Sequence, residues 1–232
     1  MKKLVIFDLD GTLLNTIDDI RDSFNMALNE LGFREATTEE MKYFVGSGVD
    51  NLVKRAIKKI LGGENCDENI NKYHSLLKEK YQFYYEQYQK NKTRLYDGIL
   101  DLILNLKKEN VKVAVLSNKP DNDVKAIIKY YFNDVEFDYV QGSNTEVGIK
   151  PAILGVNKIL SELNIYNKKE VLFVGDSDVD VLTAINASID SAACLWGFRK
   201  KEELMQATFL VSNTKELYEV IVNGLWWYNT IK

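Results

Sequence analysis

KKLVIFDLDGTLL, residues 2–14, is the stretch that decides the fold of this 232-residue chain. Its apolar run from Leu4 to Phe7 is continuous rather than alternating, which is typical of a strand buried on both faces. Two carboxylates, Asp8 and Asp10, end the run and point to the same side of the strand. Because burying charge is costly, acidic side chains there need a metal or a cation as partner. The stretch therefore predicts a buried strand that carries chemistry at its carboxyl end.

The composition of the chain argues against several classes of function. The formal net charge of −4 gives no basic footprint for nucleic acid, and no apolar run approaches the roughly 20 residues of a membrane span. The first 14 residues carry acids within the apolar run, so we expect no signal peptide. Two distant cysteines, Cys66 and Cys194, fit a cytoplasmic protein without a disulfide or zinc site. With His74 as the single histidine, acid–base chemistry falls to carboxylates or lysine.

The spacing of apolar residues changes twice along the chain. From about residue 94 onward, apolar strands alternate with amphipathic helices, which predicts an α/β fold with a doubly wound parallel sheet. Residues 15–93 instead show helical spacing of apolar residues throughout. We therefore expect an α/β core formed by residues 1–14 and 94–232, interrupted after its first strand by an inserted all-helical cap domain, residues 15–93.

Polar clusters follow three of the predicted strands at their carboxyl ends, where open α/β sheets bind ligands. These clusters, together with a lysine in the loop GIKP, supply Asp8, Asp10, Ser117, Asn118, Lys150, Asp176 and Asp180. Such a set can hold a divalent cation and can bind a phosphate while providing a carboxylate nucleophile. Taken singly, Asp10 fits a turn, Ser117 a helix cap and Lys150 a solvated surface. Their joint occurrence at one edge favours an active site.

The motifs resemble those of the haloacid dehalogenase superfamily. They are, in order, DxDGT at 8–12, Ser117-Asn118, Lys150 before Pro151, and GDSxxD at 175–180. A lone DxD is a weak signal, but four motifs in order, each at a strand end or in the expected loop, are specific. The resemblance covers the core and implies a Rossmann-like fold, a bound Mg²⁺ and phosphoryl transfer through an aspartyl-phosphate.

The resemblance implies that the first motif carries the covalent chemistry. Asp8 is expected to be the nucleophile that takes the phosphoryl group. Asp10 is expected to protonate the leaving alkoxide and then to accept a proton from the attacking water. Thr12 is expected to help position Asp10 and the backbone near it.

The remaining motifs are expected to bind the phosphoryl group and the metal. Ser117 would donate a hydrogen bond to a phosphoryl oxygen, with Asn118 supporting its loop, and Lys150 would offset negative charge. A carboxylate can attack a dianionic phosphate only when positive charge offsets their repulsion. The implied magnesium ligands are the carboxylate of Asp8, the backbone carbonyl of Asp10, and the carboxylates of Asp176 and Asp180.

A glycine turn in the helical segment, Gly46-Ser47-Gly48, offers a second candidate site. The pattern Ser47-x-x-Asp50 fits a helix capping box, which could account for the turn by itself. A sharper hypothesis is that the turn closes over the core and that the helix N-terminus binds the non-reacting end of the substrate. Some superfamily members have a helical cap of this class, called C1, and in them similar turns recognise the substrate.

Individual residues and short stretches indicate which group of enzymes within the superfamily the chain resembles. Asp10 argues against dehalogenases and phosphonatases, which lack an acid at that position. GDSDVD and the later WGFRKKEEL resemble phosphoglycolate phosphatase and its near relatives, although Asn15 stands where many of them carry Asp. We therefore predict a magnesium-dependent phosphatase acting on a small phosphomonoester.

Several alternatives stay open. A phosphomutase, a pyrophosphatase or a nucleotidase of the same superfamily would share these motifs. A non-catalytic phospho-acceptor or scaffold belongs to a different class, but receiver domains are shorter and scaffolds would be expected to have lost a motif residue. The chain could be a monomer or a homodimer, with GLWWYN at 224–229 packing on the core or forming a dimer contact.

Overall fold

The computed structural model describes residues 1–62 and 66–224 and divides into two compact units. One unit combines Met1–Leu14 with the chain from Leu95 onward, and the other is Asn15–Arg94. Apart from Gly224, the segment GLWWYN lies outside the described residues. Within the described ranges, no helix is both long enough and apolar enough to cross a membrane.

The first unit is built on a parallel sheet. In chain order the strands are β1 (Leu4–Phe7), β2 (Leu14–Asn15), β3 (Arg94–Leu95), β4 (Lys112–Pro120), β5 (Tyr139–Ser143), β6 (Val171–Gly175), β7 (Asp190–Cys194) and β8 (Phe209–Val211). Strands β2 and β3 pair separately, and the other six form one sheet in the order β5-β4-β1-β6-β7-β8. Every pairing in this larger sheet is parallel. The prediction of a doubly wound α/β fold is confirmed.

The helices fall into two sets. Those of the second unit are α1 (Ile17–Glu30), α2 (Thr38–Phe44), α3 (Val49–Ile60) and α4 (Cys66–Tyr88). Those of the first unit are α5 (Ile99–Lys108), α6 (Asp121–Tyr131), α7 (Leu154–Glu162), α8 (Asp178–Ala187) and α9 (Thr214–Asn223). Strands and α-helices therefore alternate from β4 to β7, which gives these parallel strands helical crossover connections. Between β7 and β8 the structure has only the short 3₁₀ helix Lys201–Leu204.

Strand β1 lies in the middle of the sheet and is fully buried, as its continuous apolar sequence predicts. Val5 and Phe7 join an apolar cluster that includes residues of α5, α6 and α9. Leu4 and Ile6 join a second cluster with residues of α7 and α8. Because successive side chains of a strand point to opposite faces, β1 contributes to both clusters and is held between two helical layers.

Among the described residues of the second unit, the regular secondary structure is helical except at Asn15 and Arg94, which belong to the paired strands β2 and β3. Helix α4 packs against α1 and α3, and the rings of Phe24 and Tyr81 meet edge-on with centroids 5.4 Å apart. Helix α2 begins with a capping box, because Thr37 accepts from the backbone N–H of Glu40 and the Glu40 side chain accepts from that of Thr37. Helix α2 thus satisfies free backbone groups at its start with its own side chains.

The capping box expected at Ser47 and Asp50 is wrong. Gly48 occupies the N-cap of α3 with φ +81°, and no side chain bonds to the cap. This left-handed backbone favours glycine and starts the helix one residue later than the pattern implies. Asp50 instead forms an ion pair with Lys78, at 3.0 Å.

Candidate active site

The carboxyl ends of three neighbouring strands meet at one edge of the sheet. In the register of the sheet, Phe7 of β1 lies level with Val115 of β4 and Val174 of β6. One or two residues beyond that level come Asp8, Ser117 and Asp176. All three are nearly inaccessible to solvent. Parallel pairing therefore brings these predicted site residues to the same edge, as the sequence indicates.

Lys150 connects two of the acidic residues. Its ammonium lies 2.7 Å from Oδ1 of Asp8 and 2.6 Å from Oδ1 of Asp180, and only 2% of its side chain is exposed. A lysine this deeply buried is stable as a cation only when paired with carboxylates. Lys150 is therefore part of the acidic cluster and not a solvated surface lysine.

Asn118 holds the backbone of Lys150 in place. Its Oδ1 accepts the backbone N–H of Lys150 at 2.6 Å, and its Nδ2 donates to the Lys150 carbonyl at 3.1 Å. The hydroxyl of Ser143 in turn donates to the carbonyl of Asn118. The loop that carries the lysine is thus fixed to the end of β4 by two side-chain hydrogen bonds.

Three carboxylates, those of Asp8, Asp176 and Asp180, each place an oxygen within 4.8 Å of the others. Burial raises the pKa of Asp8 to about 7, Lys150 opposes that rise, and Asp180 adds to it. Burial, with the charges of Asp180 and Asp8, also raises the pKa of Asp176 well above its usual value. Burial alone would lower the pKa of Lys150, but the two carboxylates beside it outweigh this and raise it. Lys150 thus contacts two of these three buried carboxylates, which together can carry more negative charge than one lysine offsets.

This excess of negative charge fits a divalent cation. Oxygen ligands supplied mainly by carboxylates are what Mg²⁺ and Ca²⁺ prefer. A cation would offset both the burial and the mutual repulsion that raise the pKa of Asp8 and of Asp176. The cluster is also buried, so bulk water cannot screen that repulsion. The donor set is therefore consistent with the magnesium site implied by the motifs.

Asp176 sits in a space that only glycine neighbours allow. A Cβ on Gly11 would lie 2.2 Å from its Oδ2, and one on Gly197 would lie 2.1 Å from its Cβ. The backbone N–H of Phe198 donates to Oδ2 of Asp176 at 2.7 Å. The hydroxyl of Thr12, which was expected beside Asp10, is 3.5 Å from Oδ1 of Asp176. Backbone contacts from two loops therefore fix this carboxylate.

Asp180 has a structural role as well as its place in the cluster. Ser177 is the N-cap of α8, and its hydroxyl and backbone N–H both donate to Oδ2 of Asp180. The Oδ1 oxygen of the same carboxylate faces Lys150. Asp180 therefore caps its helix with one oxygen and joins the cluster with the other.

Lys119 lies in this site and was not among the residues singled out from the sequence. Its ammonium is 3.2 Å from Oδ2 of Asp10, and 7% of its side chain is exposed. Its backbone N–H donates to the hydroxyl of Ser117. Strand alternation puts residues 117 and 119 on the same side of β4, and this signal could have identified Lys119 in advance.

In the second unit, the turn at residues 46–48 is held by Arg55. The guanidinium donates to the carbonyls of Tyr43, Phe44 and Val45, and to the hydroxyl of Ser47 at 3.0 Å. These carbonyls belong to the end of α2, where helix carbonyls lack partners within the helix. Arg55 thus stabilises the turn from within its own unit, which makes a direct contact between Arg55 and a ligand unnecessary to explain the residue.

Sequence comparison relates the chain to known hydrolases. The sequence profile of the haloacid dehalogenase-like hydrolases matches residues 5–194. Phosphoglycolate phosphatase from Mannheimia succiniciproducens is 33% identical over 199 residues, covering 84% of this chain and 87% of that protein. The Pasteurella multocida phosphoglycolate phosphatase is 32% identical with the same coverage.

A solved structure shows the same architecture. A candidate phosphoglycolate phosphatase from Lactobacillus delbrueckii superposes with a TM-score of 0.88 at 32% identity, covering 95% of this chain and 99% of its own. The family profile spans most of this chain and includes residues 5–7 of β1 and every motif residue of the site. The chain therefore belongs to the haloacid dehalogenase-like hydrolase family and is an enzyme that resembles the phosphatases of that family.

Proposed function

We propose that this enzyme is a magnesium-dependent phosphatase that hydrolyses a small phosphomonoester through an aspartyl-phosphate. The observation that carries the proposal is the buried cluster in which Lys150 contacts Asp8 at 2.7 Å beside Asp176 and Asp180. A nucleophilic carboxylate needs positive charge close to it when it meets a phosphate dianion. The cluster supplies that charge from the lysine and has the donor set for a divalent cation.

In the first half-reaction, an oxygen of Asp8 attacks phosphorus and the ester P–O bond breaks. The departing alkoxide takes a proton from Asp10, which lies two residues further along the chain from Asp8. Ser117 and Lys150 bind the phosphoryl oxygens as negative charge shifts between the attacking and leaving oxygens. The products are a free alcohol and an acyl phosphate on Asp8.

In the second half-reaction, water attacks phosphorus of the aspartyl-phosphate. Asp10, now a carboxylate, takes a proton from that water, and the bond between phosphorus and Asp8 breaks. Inorganic phosphate leaves, Asp8 is again a carboxylate, and Asp10 again carries the proton. The same residue thus serves both halves, and no external acid or base is consumed.

The metal ligands in this proposal are Asp8, the backbone carbonyl of Asp10, Asp176 and Asp180. When bound, Mg²⁺ offsets negative charge on the phosphoryl group and on the nucleophile. Support comes from the three carboxylates that approach within 4.8 Å of one another. Because Asp180 also caps α8 and pairs with Lys150, its oxygens have fewer free positions than those of Asp176.

The substrate class follows from the relatives and from the helical insertion. Two relatives at 32% and 33% identity are phosphoglycolate phosphatases, so phosphoglycolate is the first compound to test. We propose that the helical unit acts as a cap that excludes bulk water during transfer, which favours small soluble esters over phosphoproteins. A cytoplasmic location, absence of nucleic-acid and membrane partners, and a monomeric or homodimeric state complete the proposal.

A substrate panel tests this function. We expect phosphate release from one or a few small phosphomonoesters with MgCl₂, and loss of that release in EDTA, because the cluster then lacks its cation. The panel contains phosphoglycolate, sugar phosphates, nucleoside monophosphates and pyrophosphate, assayed with a colorimetric phosphate reagent. Restoring Mg²⁺ after EDTA treatment is the control for irreversible damage.

Each outcome of the panel has a separate meaning. Strong preference for pyrophosphate or a nucleotide would replace the phosphomonoester assignment with one of those activities. Isomerisation of a sugar phosphate without phosphate release would indicate a mutase. Absence of turnover for every compound at millimolar concentration, with or without Mg²⁺, would contradict the proposal.

The turn at residues 46–48 is proposed to contribute to the choice of substrate. Gly48 adopts φ +81°, and the Ser47 hydroxyl accepts from Arg55, so the turn has a defined shape within its unit. Its position just before the N-terminus of α3 exposes the free N–H groups of a helix start, which favour an anion. A carboxylate or second phosphate on the substrate would suit such a site.

Replacing Gly48 with Ala is expected to change the ranking of substrates. Alanine is strained at φ +81°, so the turn shifts while the core site stays intact. We expect kcat/KM to fall about 10-fold for an alkyl phosphate with a second anionic group, and less than about 2-fold for p-nitrophenyl phosphate, given the usual size of lost binding contacts. The matched control is Gly32→Ala, also at positive φ in this unit but open to solvent. Equal losses on both substrates would contradict a specificity role.

A further inference from the structure

The active site contains two buried lysines, and each contacts a different carboxylate of the DxD motif. Lys150 lies 2.7 Å from Asp8, and Lys119 lies 3.2 Å from Asp10. Their side chains are 2% and 7% exposed. The two acids have different tasks in the proposed reaction, and the structure provides each of them with its own cation.

The contact with Lys119 makes the two oxygens of Asp10 unequal. Oδ2 faces the ammonium, whereas Oδ1 is buried and accepts no hydrogen bond from any residue that the structure describes. A buried carboxylate oxygen without a partner is costly and therefore points to a group that arrives during the reaction. The oxygen available for a proton is thus Oδ1.

The backbone around Lys119 limits where its side chain can go. Its N–H donates to the hydroxyl of Ser117, and the residue before it, Asn118, is fixed to Lys150 by two hydrogen bonds. Lys119 thus lies near the end of β4, and hydrogen bonds anchor the two residues before it. A lysine on such a base can hold a partner carboxylate in one orientation at little further cost in entropy.

We propose that Lys119 is a positioning residue that holds Asp10 by its Oδ2, so that Oδ1 faces the leaving oxygen and then the attacking water. This inference rests on the proposed phosphatase function and adds to it a residue outside the motifs that identified the site. Lys119 acts through Asp10 and makes no bond to the reacting atoms. Its removal leaves Asp10 in place but free to rotate.

The experiment compares two leaving groups. An alkoxide needs a proton from Asp10 as it departs, whereas p-nitrophenolate leaves readily without one. Because kcat/KM covers the steps up to release of the alcohol, its ratio for the two substrates isolates proton donation. The alkyl substrate is the phosphomonoester that the wild-type enzyme hydrolyses fastest.

Lys119→Met is expected to lower kcat/KM for the alkyl phosphate about 10- to 100-fold, part of the range that positioned acid–base groups supply. For p-nitrophenyl phosphate the expected loss is under about 3-fold, because the nucleophile and Lys150 are unchanged. Lys125→Met is the matched control, since Lys125 is an exposed lysine on α6 that pairs with Asp121. It should leave both values as in the wild type.

Lys119→Gln is the second variant in case the Met variant folds poorly. It keeps an N–H donor near Oδ2 of Asp10 without the charge. Its kcat/KM should fall for the alkyl substrate only, and by less than that of Lys119→Met. In an Asp10→Asn background, adding Lys119→Met should change kcat/KM by less than about 2-fold, because residues acting as a unit are not additive.

The results that would overturn the role of Lys119 differ from the result that would contradict the phosphatase function. Equal losses on both substrates, or additivity with Asp10→Asn, would show that Lys119 binds the phosphoryl group or supports the fold, and would overturn the inference. Wild-type activity in folded Lys119→Met would overturn it as well. Failure of the wild-type enzyme on both substrates would instead contradict the proposed phosphatase function.

Discussion

Asp8→Asn is expected to abolish turnover, with kcat lowered by at least about 10⁴-fold, the scale of losing a covalent nucleophile. The amide has nearly the shape of the carboxylate but cannot form the acyl phosphate on which both halves of the reaction depend. Every other group of the site remains, so substrate binding persists. The measurement is steady-state phosphate release from the best substrate of the panel, with Mg²⁺ present.

The Asp8→Asn protein should remain folded. Burial raises the pKa of Asp8 to about 7, so the fold disfavours its charged form, and a neutral amide removes that cost. Lys150 keeps Asp180 as a partner at 2.6 Å. We therefore expect a melting temperature no lower than that of the wild type in EDTA at pH 8, where Asp8 is ionised.

Asp178→Asn is the control for this substitution. Asp178 lies in the first turn of α8, close in sequence to the cluster, but its side chain is 52% exposed. Removing its charge should change kcat by less than about 2-fold, since exposed ion pairs contribute little. Steady-state hydrolysis by Asp8→Asn above about a thousandth of the wild-type rate would exclude Asp8 as the nucleophile.

The sequence predicts the site well because local patterns determine where strands end. The four apolar residues of β1 require burial on both faces, and only a parallel sheet with helices on each side provides that. Once the strands are parallel, their carboxyl ends share an edge. The meeting of Asp8, Ser117 and Asp176 at that edge then follows without any knowledge of side-chain positions.

The contacts that refine the site are not local in the sequence. Gly197 and Phe198 approach Asp176 from a loop after β7, about twenty residues further along the chain. The indole N–H of Trp196 donates to the carbonyl of Thr12 across a separation of 184 residues. No periodicity encodes such approaches, because they depend on how a loop folds back over the finished sheet.

The error at the start of α3 has a different origin. Ser47 and Asp50 have the spacing of a capping box, but Gly48 between them adopts a left-handed backbone and becomes the N-cap itself. A glycine in that position gives the chain a second place to begin the helix. Spacing alone cannot choose between the two starts, whereas no glycine competes with the capping box that Thr37 and Glu40 form at the start of α2.

Lys150→Met is expected to lower kcat/KM by at least about 10³-fold, the effect of losing one preorganised electrostatic contact to the transition state. It also leaves Asp8 and Asp180 without the cation that contacts both. Removing one partner of a buried ion pair costs about 3–5 kcal/mol of the free energy of unfolding. The variant should therefore melt well below the wild type in EDTA.

Magnesium is expected to bind the Lys150→Met variant more tightly than the wild type. In the proposed site, the lysine and the metal both offset the negative charge of Asp8 and Asp180, so losing the lysine's positive charge increases the attraction for the metal. Adding Mg²⁺ should thus raise the melting temperature of the variant more than that of the wild type. Thermal melts across a Mg²⁺ titration measure the affinity without requiring turnover.

Lys158→Met is the matched control, because Lys158 pairs with the exposed Glu146 on the surface of the same unit. It should leave kcat/KM, stability and the Mg²⁺ titration as in the wild type. If Lys150→Met instead bound Mg²⁺ as weakly as the wild type or more weakly, the metal would not share the carboxylates that Lys150 contacts. The cluster of Asp8, Asp176 and Asp180 would then be held together by the lysine alone, and the metal site would have to lie elsewhere.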